Sequence, residues 1–242
     1  MNITKDMKMA EVIHLNYSLL PVITRFDIDL GFGDRTVEEV CRDNEINLDF
    51  FIEITNSFIN EDYIPQKELN SFPLSLIVKY LEKTHDYYLS EKVPELEEMI
   101  DRMVKLSGAD TQKSELLMNF FREYREELKN HIEKEELKVQ PYVIEIEKAY
   151  EKGVLNESLK EAILNYSIND FANEHDNIEE KLYDLTNIII KYMPPCPDKA
   201  LTNRILMELF RLEKDLNAHA ELEDKVLIPK VSIMEEELLK KG

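Results

Sequence analysis

His131-Ile132-Glu133-Lys134-Glu135 and His219-Ala220-Glu221-Leu222-Glu223 share one pattern, a His and a Glu four residues apart, and in each case a proline follows the Glu by six, Pro141 and Pro229. Four residues advance an α-helix by about 400°, so each His lies one turn below its Glu on a single face, where both can reach one metal ion. A further His precedes each copy at a similar distance: His85 stands 46 residues before His131, and His175 stands 44 before His219. The chain reads as a duplicated helix hairpin. The first helix of each half gives one His and the second gives a His and a Glu. Oxygen and imidazole donors without a thiolate suit iron or manganese, and carboxylates can bridge two ions about 3.5–4 Å apart. Zinc can substitute at such a site.

Taken singly, each of these residues has a plainer reading. A His on an apolar stripe is usually a hydrogen-bonded core or boundary residue, and a His/Glu pair at i, i+4 is an ordinary helical contact. The conjunction decides otherwise, because the chain holds five His and four of them fall into the two-fold pattern. Burying this set without a cation would also strand carboxylates in a low-dielectric interior, at several kcal/mol per ion.

The elements that must carry the set are helical. Glycine is scarce, at 5 of 242 residues, and Glu, Lys and Leu come in long runs. The reading is all-α: a four-helix up-down bundle over residues 70–230, preceded by a small helical N-terminal domain over 1–65 and followed by an amphipathic C-terminal tail over 231–242. In the N-terminal part, residues 9–26 form one segment, Thr36-Val37-Glu38-Glu39 is a capping box, and Asn47 caps a helix over 48–58. A polar connector covers 60–70. The first bundle helix opens at Ser71-Phe72-Pro73-Leu74 and places His85 on a buried stripe with Ile77, Leu81 and Tyr88. Ser107-Gly108-Ala109-Asp110 breaks the pattern, and the second helix runs over 114–139 until Pro141 disturbs or ends it, with a helical continuation over 143–150 left open. Gly153 marks the midpoint turn, the third helix covers 159–192 with His175, and the fourth covers 198–227.

A formal charge of −20, from 50 acidic and 30 basic residues, repels phosphate backbones and anionic lipid, which argues against nucleic acid and membrane as partners. Cys41 and Cys196 form no C-x-x-C and suit a reducing cytoplasm. Neither a secretory leader nor a run of about 20 apolar residues is expected.

Lys83-Thr84-His85-Asp86-Tyr87-Tyr88 with Pro94-Glu95-Leu96, His131-x3-Glu135-Glu136 to Pro141, Glu174-His175-Asp176, and His219-x3-Glu223 with Val226-Leu227-Ile228-Pro229 resemble the hemerythrin-like HHE cation-binding domain. More closely, the chain is similar to the repair-of-iron-centres family of di-iron proteins. The stretch from Arg25 to Cys41 resembles that family's N-terminal domain, with one departure: Gly31-Phe32 stands where the family usually has an adjacent Cys pair. The resemblance implies two oxo- or hydroxo-bridged iron ions held by His85, His131, Glu135, His175, His219 and Glu223. It implies oxygen or nitric oxide as a small ligand, damaged iron-sulfur proteins as partners, and repair under nitrosative or oxidative stress. A homodimer is a further expectation. The alternative is a non-catalytic oxygen or iron sensor, and a third reading is a helical interaction protein with incidental His. His14 reads as a structural or surface residue. Tyr88 reads as core packing ahead of a hydrogen-bond donor or redox-active phenol, and Glu174 and Asp176 as either imidazole-orienting groups or solvated surface.

Overall fold

The computed structural model describes residues 2–60, 69, 71–107, 111–173 and 178–241. Most of the polar connector, Gly108-Ala109-Asp110, and His175 with Glu174 and Asp176 lie outside the described residues. The fold is all-α. No strand occurs among the described residues, and an isolated antiparallel bridge pairs Lys8 with Thr36.

The N-terminal module comprises α1 (Met9–Leu15), a 3₁₀ turn (Tyr17–Leu19), α2 (Leu20–Arg25), α3 (Val37–Asp43) and α4 (Leu48–Ile59). The expected single segment over 9–26 is broken at Asn16, whose side chain accepts from the Ser18 amide at 3.0 Å and starts a new turn. Thr36 and Glu39 form the capping box, and Asn47 caps α4 by accepting from the Phe50 amide. Buried Asn56 pairs with both backbone groups of Ile3, at 2.6 and 3.1 Å, tying the start of the chain to α4.

Three long rods follow, each made of two α-helices joined by a five-residue π turn. They are α5 (Leu74–Tyr87) and α6 (Val93–Leu106) through Tyr88–Lys92, α7 (Thr111–Lys134) and α8 (Gln140–Lys152) through Glu135–Val139, and α12 (Lys199–Leu222) and α13 (Ile228–Lys241) through Glu223–Leu227. The other helices among the described residues are α9 (Glu157–Asn165), α10 (Ile168–Asn173) and α11 (Ile178–Tyr192). Pro141 therefore does not end its helix, and Pro94 and Pro229 behave alike. A proline in a regular α-helix clashes with the carbonyl four residues back and lacks the amide to pair with it. Here the preceding residue closes an i to i−5 bond instead: Val93 N–H to Tyr88, Gln140 to Glu135, and Ile228 to Glu223. The wide turn accommodates the ring and the rod continues.

The expected third helix over 159–192 is interrupted. Tyr166 is extended, and Ser167 with Asp170 makes a reciprocal cap that starts α10, Asp170 accepting from the Ser167 amide at 2.8 Å. The last helix carries Val231 and Leu238 into the interior.

Two hydrophobic cores result, one at each end of the rods. The lower core joins the N-terminal module to α5, α8, α10 and α13 through residues such as Phe50, Phe51, Leu81, Val143 and Val231. The upper core joins α6, α7, α11 and α12 through Phe121, Tyr124, Leu182 and Leu209. α5 opens at Pro73, which offers no side-chain cap, and Glu147 of α8 supplies one by accepting from the Leu74 and Ser75 amides. Glu147→Ala is expected to destabilise the fold by about 1–3 kcal/mol, because two backbone N–H groups at this packed helix start lose their acceptor; the midpoint of urea unfolding checks this.

Candidate metal centre

The three π turns lie where the two cores meet, and two of them open on a carboxylate. Glu135 and Glu223 are the first residues of their π turns and are 2% and 3% exposed. His85 comes from the last turn of α5 and His219 from the last turn of α12, both buried. His85, Glu135, His219 and Glu223 each offer a donor atom, all within 4.8 Å of one another. His85 Nε2 is 3.1 Å from Glu135 Oε2 and 3.4 Å from His219 Nε2, while His219 Nε2 is 3.5 Å from Glu223 Oε1. His131, on the turn of α7 below Glu135, places its Nε2 3.0 Å from Glu135 Oε1. The structure thus clusters four of the six sequence-predicted residues and sets His131 against one of them, Glu135, while the sixth, His175, lies outside the described residues. His14 is exposed on α1.

This donor set fits a metal ion. Donors about 2.1 Å from a common ion and in neighbouring coordination positions stand about 3 Å apart, which is close to the spacing seen here. Two Nε2 atoms 3.4 Å apart cannot both carry a proton toward each other, so at least one of them presents a lone pair to the cluster. Burial, followed by the charge of His85, lowers the His219 pKa to about 3, leaving a neutral ligand-competent imidazole. Burial also opposes protonation of His85, but the hydrogen bond and charge of Glu135, with Glu223 and Glu136 behind it, together raise its pKa above the ordinary value. The site draws in positive charge at that end.

Behind the donors stand further residues, Glu136, Asp215 and Arg25, that the His-x3-Glu spacing did not single out. Glu136 Oε1 lies 3.0 Å from His85 Nδ1, so a proton on Nδ1 is held by a carboxylate and Nε2 is left for the cluster. Its adjacency to Glu135 is the available signal, weakened because consecutive helix residues normally diverge. Asp215, one turn before His219, accepts from the Tyr88 hydroxyl at 3.1 Å and from the two terminal guanidinium nitrogens of Arg25, Nη1 and Nη2. Burial and the charge of Asp215 keep the Tyr88 phenol protonated. Tyr88 is therefore both a core residue and a hydrogen-bond donor.

A family model, the hemerythrin HHE cation binding domain, matches residues 76–231, well over half of the chain. The chain belongs to the hemerythrin HHE cation-binding family. Among curated proteins it is similar to the iron-sulfur cluster repair protein ScdA of two Staphylococcus epidermidis strains, each 22% identical over 237 residues, covering 95% of this chain and 100% of the relative. The ScdA protein of Staphylococcus haemolyticus is 19% identical over 233 residues, with the same coverage. Membership of a cation-binding family makes a cation the expected occupant of this cluster. The N-terminal departure has a backbone correlate: Gly31 adopts φ of 103°, a conformation that a cysteine would hold only under strain. Cys41 and Cys196 are both buried free thiols, and burial pushes the Cys41 pKa up to about 12. No helix among the described residues is long and apolar enough to cross a membrane.

Glu136→Ala is expected to weaken metal binding about 10–100-fold while leaving the fold intact, since it removes the group that orients His85. Competitive titration with ferrous iron or cobalt measures this directly.

Proposed function

We propose that this chain is a non-haem di-iron protein that acts in the repair of iron-sulfur clusters damaged by nitrosative or oxidative stress, in the cytoplasm. His85, His131, His175 and His219, with the carboxylates Glu135 and Glu223, would hold the two ions. The observation that carries the reading is the buried meeting of two imidazole Nε2 atoms and two carboxylates at the junction of three rods. The full-length similarity to proteins named for iron-sulfur cluster repair supports the repair assignment.

When bound, a pair of iron ions supplies redox capacity and open coordination positions for a small ligand. The chain's residues supply the rest. The carboxylates offset the ions' charge, Glu136 fixes the tautomer of His85, and the upper and lower cores exclude bulk water from the donors. Manganese or zinc fits the same donors, so metal identity follows supply as well as ligand type.

Protein purified without oxygen is expected to carry about two iron ions per chain, measured by elemental analysis, and to restore activity to an iron-sulfur enzyme inactivated by nitric oxide. Absence of iron, with no uptake of added ferrous iron, would overturn the metal reading. Stoichiometric iron with reversible oxygen binding and no restoration would favour the alternative, a non-catalytic oxygen or iron sensor. Glu135→Ala and Glu223→Ala are each expected to reduce bound iron to one ion or none per chain.

A further inference from the structure

Arg25 belongs to the N-terminal module, yet its guanidinium is buried against the helix that carries His219. Nη1 donates to Asp215 Oδ1 at 2.8 Å and Nη2 donates to Oδ2, a two-pronged pair whose side chains are 3% and 6% exposed. The guanidinium also lies over the Tyr87 ring at 4.7 Å and the Tyr88 ring at 5.6 Å. Tyr88 donates its hydroxyl to the same Asp215 oxygen at 3.1 Å and sets its ring edge against His219, with centroids 6.0 Å apart and planes at 69°. These contacts form one continuous chain from α2 to the imidazole. They run from Arg25 to Asp215, then to Tyr88, and end on His219.

We propose that Arg25 is a positioning residue for the metal centre, by which the N-terminal module fixes Asp215 and Tyr88 and so sets the orientation and bonding of His219. The inference rests on the reading of His219 as a metal ligand. Its physical basis is competition for Asp215. Asp215 stands four residues before His219 on the same helix, a spacing that makes the two side chains neighbours on one face, so an uncommitted Asp215 would compete for the imidazole. Arg25 and Tyr88 occupy both oxygens, and His219 Nδ1 is buried with no hydrogen-bond partner among the described residues. His85 has the opposite arrangement, with Glu136 on its Nδ1. A carboxylate behind an imidazole raises its donor strength and fixes its ring. The two imidazoles are thus unequal donors, and Arg25 keeps them so. Loss of Arg25 would release a buried carboxylate one turn from His219, whose Nδ1 is buried and has no hydrogen-bond partner among the described residues.

Cobalt(II) uptake by the full-length chain tests this, because the visible spectrum of bound cobalt reports ligand geometry independently of any activity. The variants are Arg25→Gln, Tyr88→Phe and the double change Arg25→Gln with Asp215→Asn, each with its melting temperature. Arg25→Gln is expected to shift the cobalt bands and to change affinity about tenfold. Tyr88→Phe is expected to shift the same bands less, and the double variant to return them toward wild type because the released carboxylate is gone. Cobalt spectra and affinities of Arg25→Gln and Tyr88→Phe that superimpose on wild type, with only the melting temperature lowered, would overturn the proposal and leave Arg25 a structural pin. Should Arg25→Gln not fold, Tyr88→Phe decides by the same criterion. Failure of the wild-type chain itself to bind cobalt or iron would overturn the metal reading instead.

Discussion

Two carboxylates and two imidazoles packed within 4.8 Å of one another, in the gap between two hydrophobic cores, are the constraint on which this molecule depends. Like charges so close and so far from water repel, and each buried ion costs several kcal/mol unless compensated. A dication at their centre would replace that repulsion with attraction. The same rods that form the cores hold the donors, so what stabilises the bundle also fixes the site. The lower core reaches up to Leu81 and Val139, the upper core begins at Tyr88 and Ile132, and the donors lie between.

The π turns reconcile three demands at that level. Each rod must bury apolar faces above and below the site, present a side chain at it, and tolerate a proline just beyond. A regular helix cannot keep Pro141 or Pro229 without losing a bond and incurring a clash. The extra residue of the π turn absorbs the proline and re-aims the following face, while the residue that opens the turn is the bridging candidate, Glu135 or Glu223. The first rod has the same turn at Tyr88–Lys92 but no carboxylate at its head; there the opening residue is Tyr88, whose hydroxyl goes to Asp215. The three rods share one device and use it differently.

The helical class and most of the donor set were legible in the sequence because they are periodic: His-x3-Glu places both side chains on one face whatever surrounds them. How the chain passes Pro141 was only half legible, since local rules allow the helix either to end there or to continue over 143–150, and the i to i−5 bond from Gln140 shows the rod passing through. The break in the third helix had a signal, Ser167 with Asp170, which the apolar pattern on either side obscured. Arg25 had none. Its partner Asp215 is 190 residues away, and no local pattern foretells a buried ion pair between a short module helix and a bundle rod. Long-range pairing of this kind depends on how the module docks, which neighbouring residues do not encode.

The N-terminal module shares the lower core with α5, α8 and α13, and through Arg25 it touches the wall of the metal centre. The central claim is that a pair of iron ions occupies the gap between the cores. Anomalous diffraction at the iron edge from crystals of the iron-loaded protein tests it most directly. Two iron peaks about 3.5–4 Å apart are expected, each within bonding distance of donors from His85, Glu135, His219 and Glu223. Peaks confined to the acidic surface, or a site whose donors pair only with one another, would contradict it.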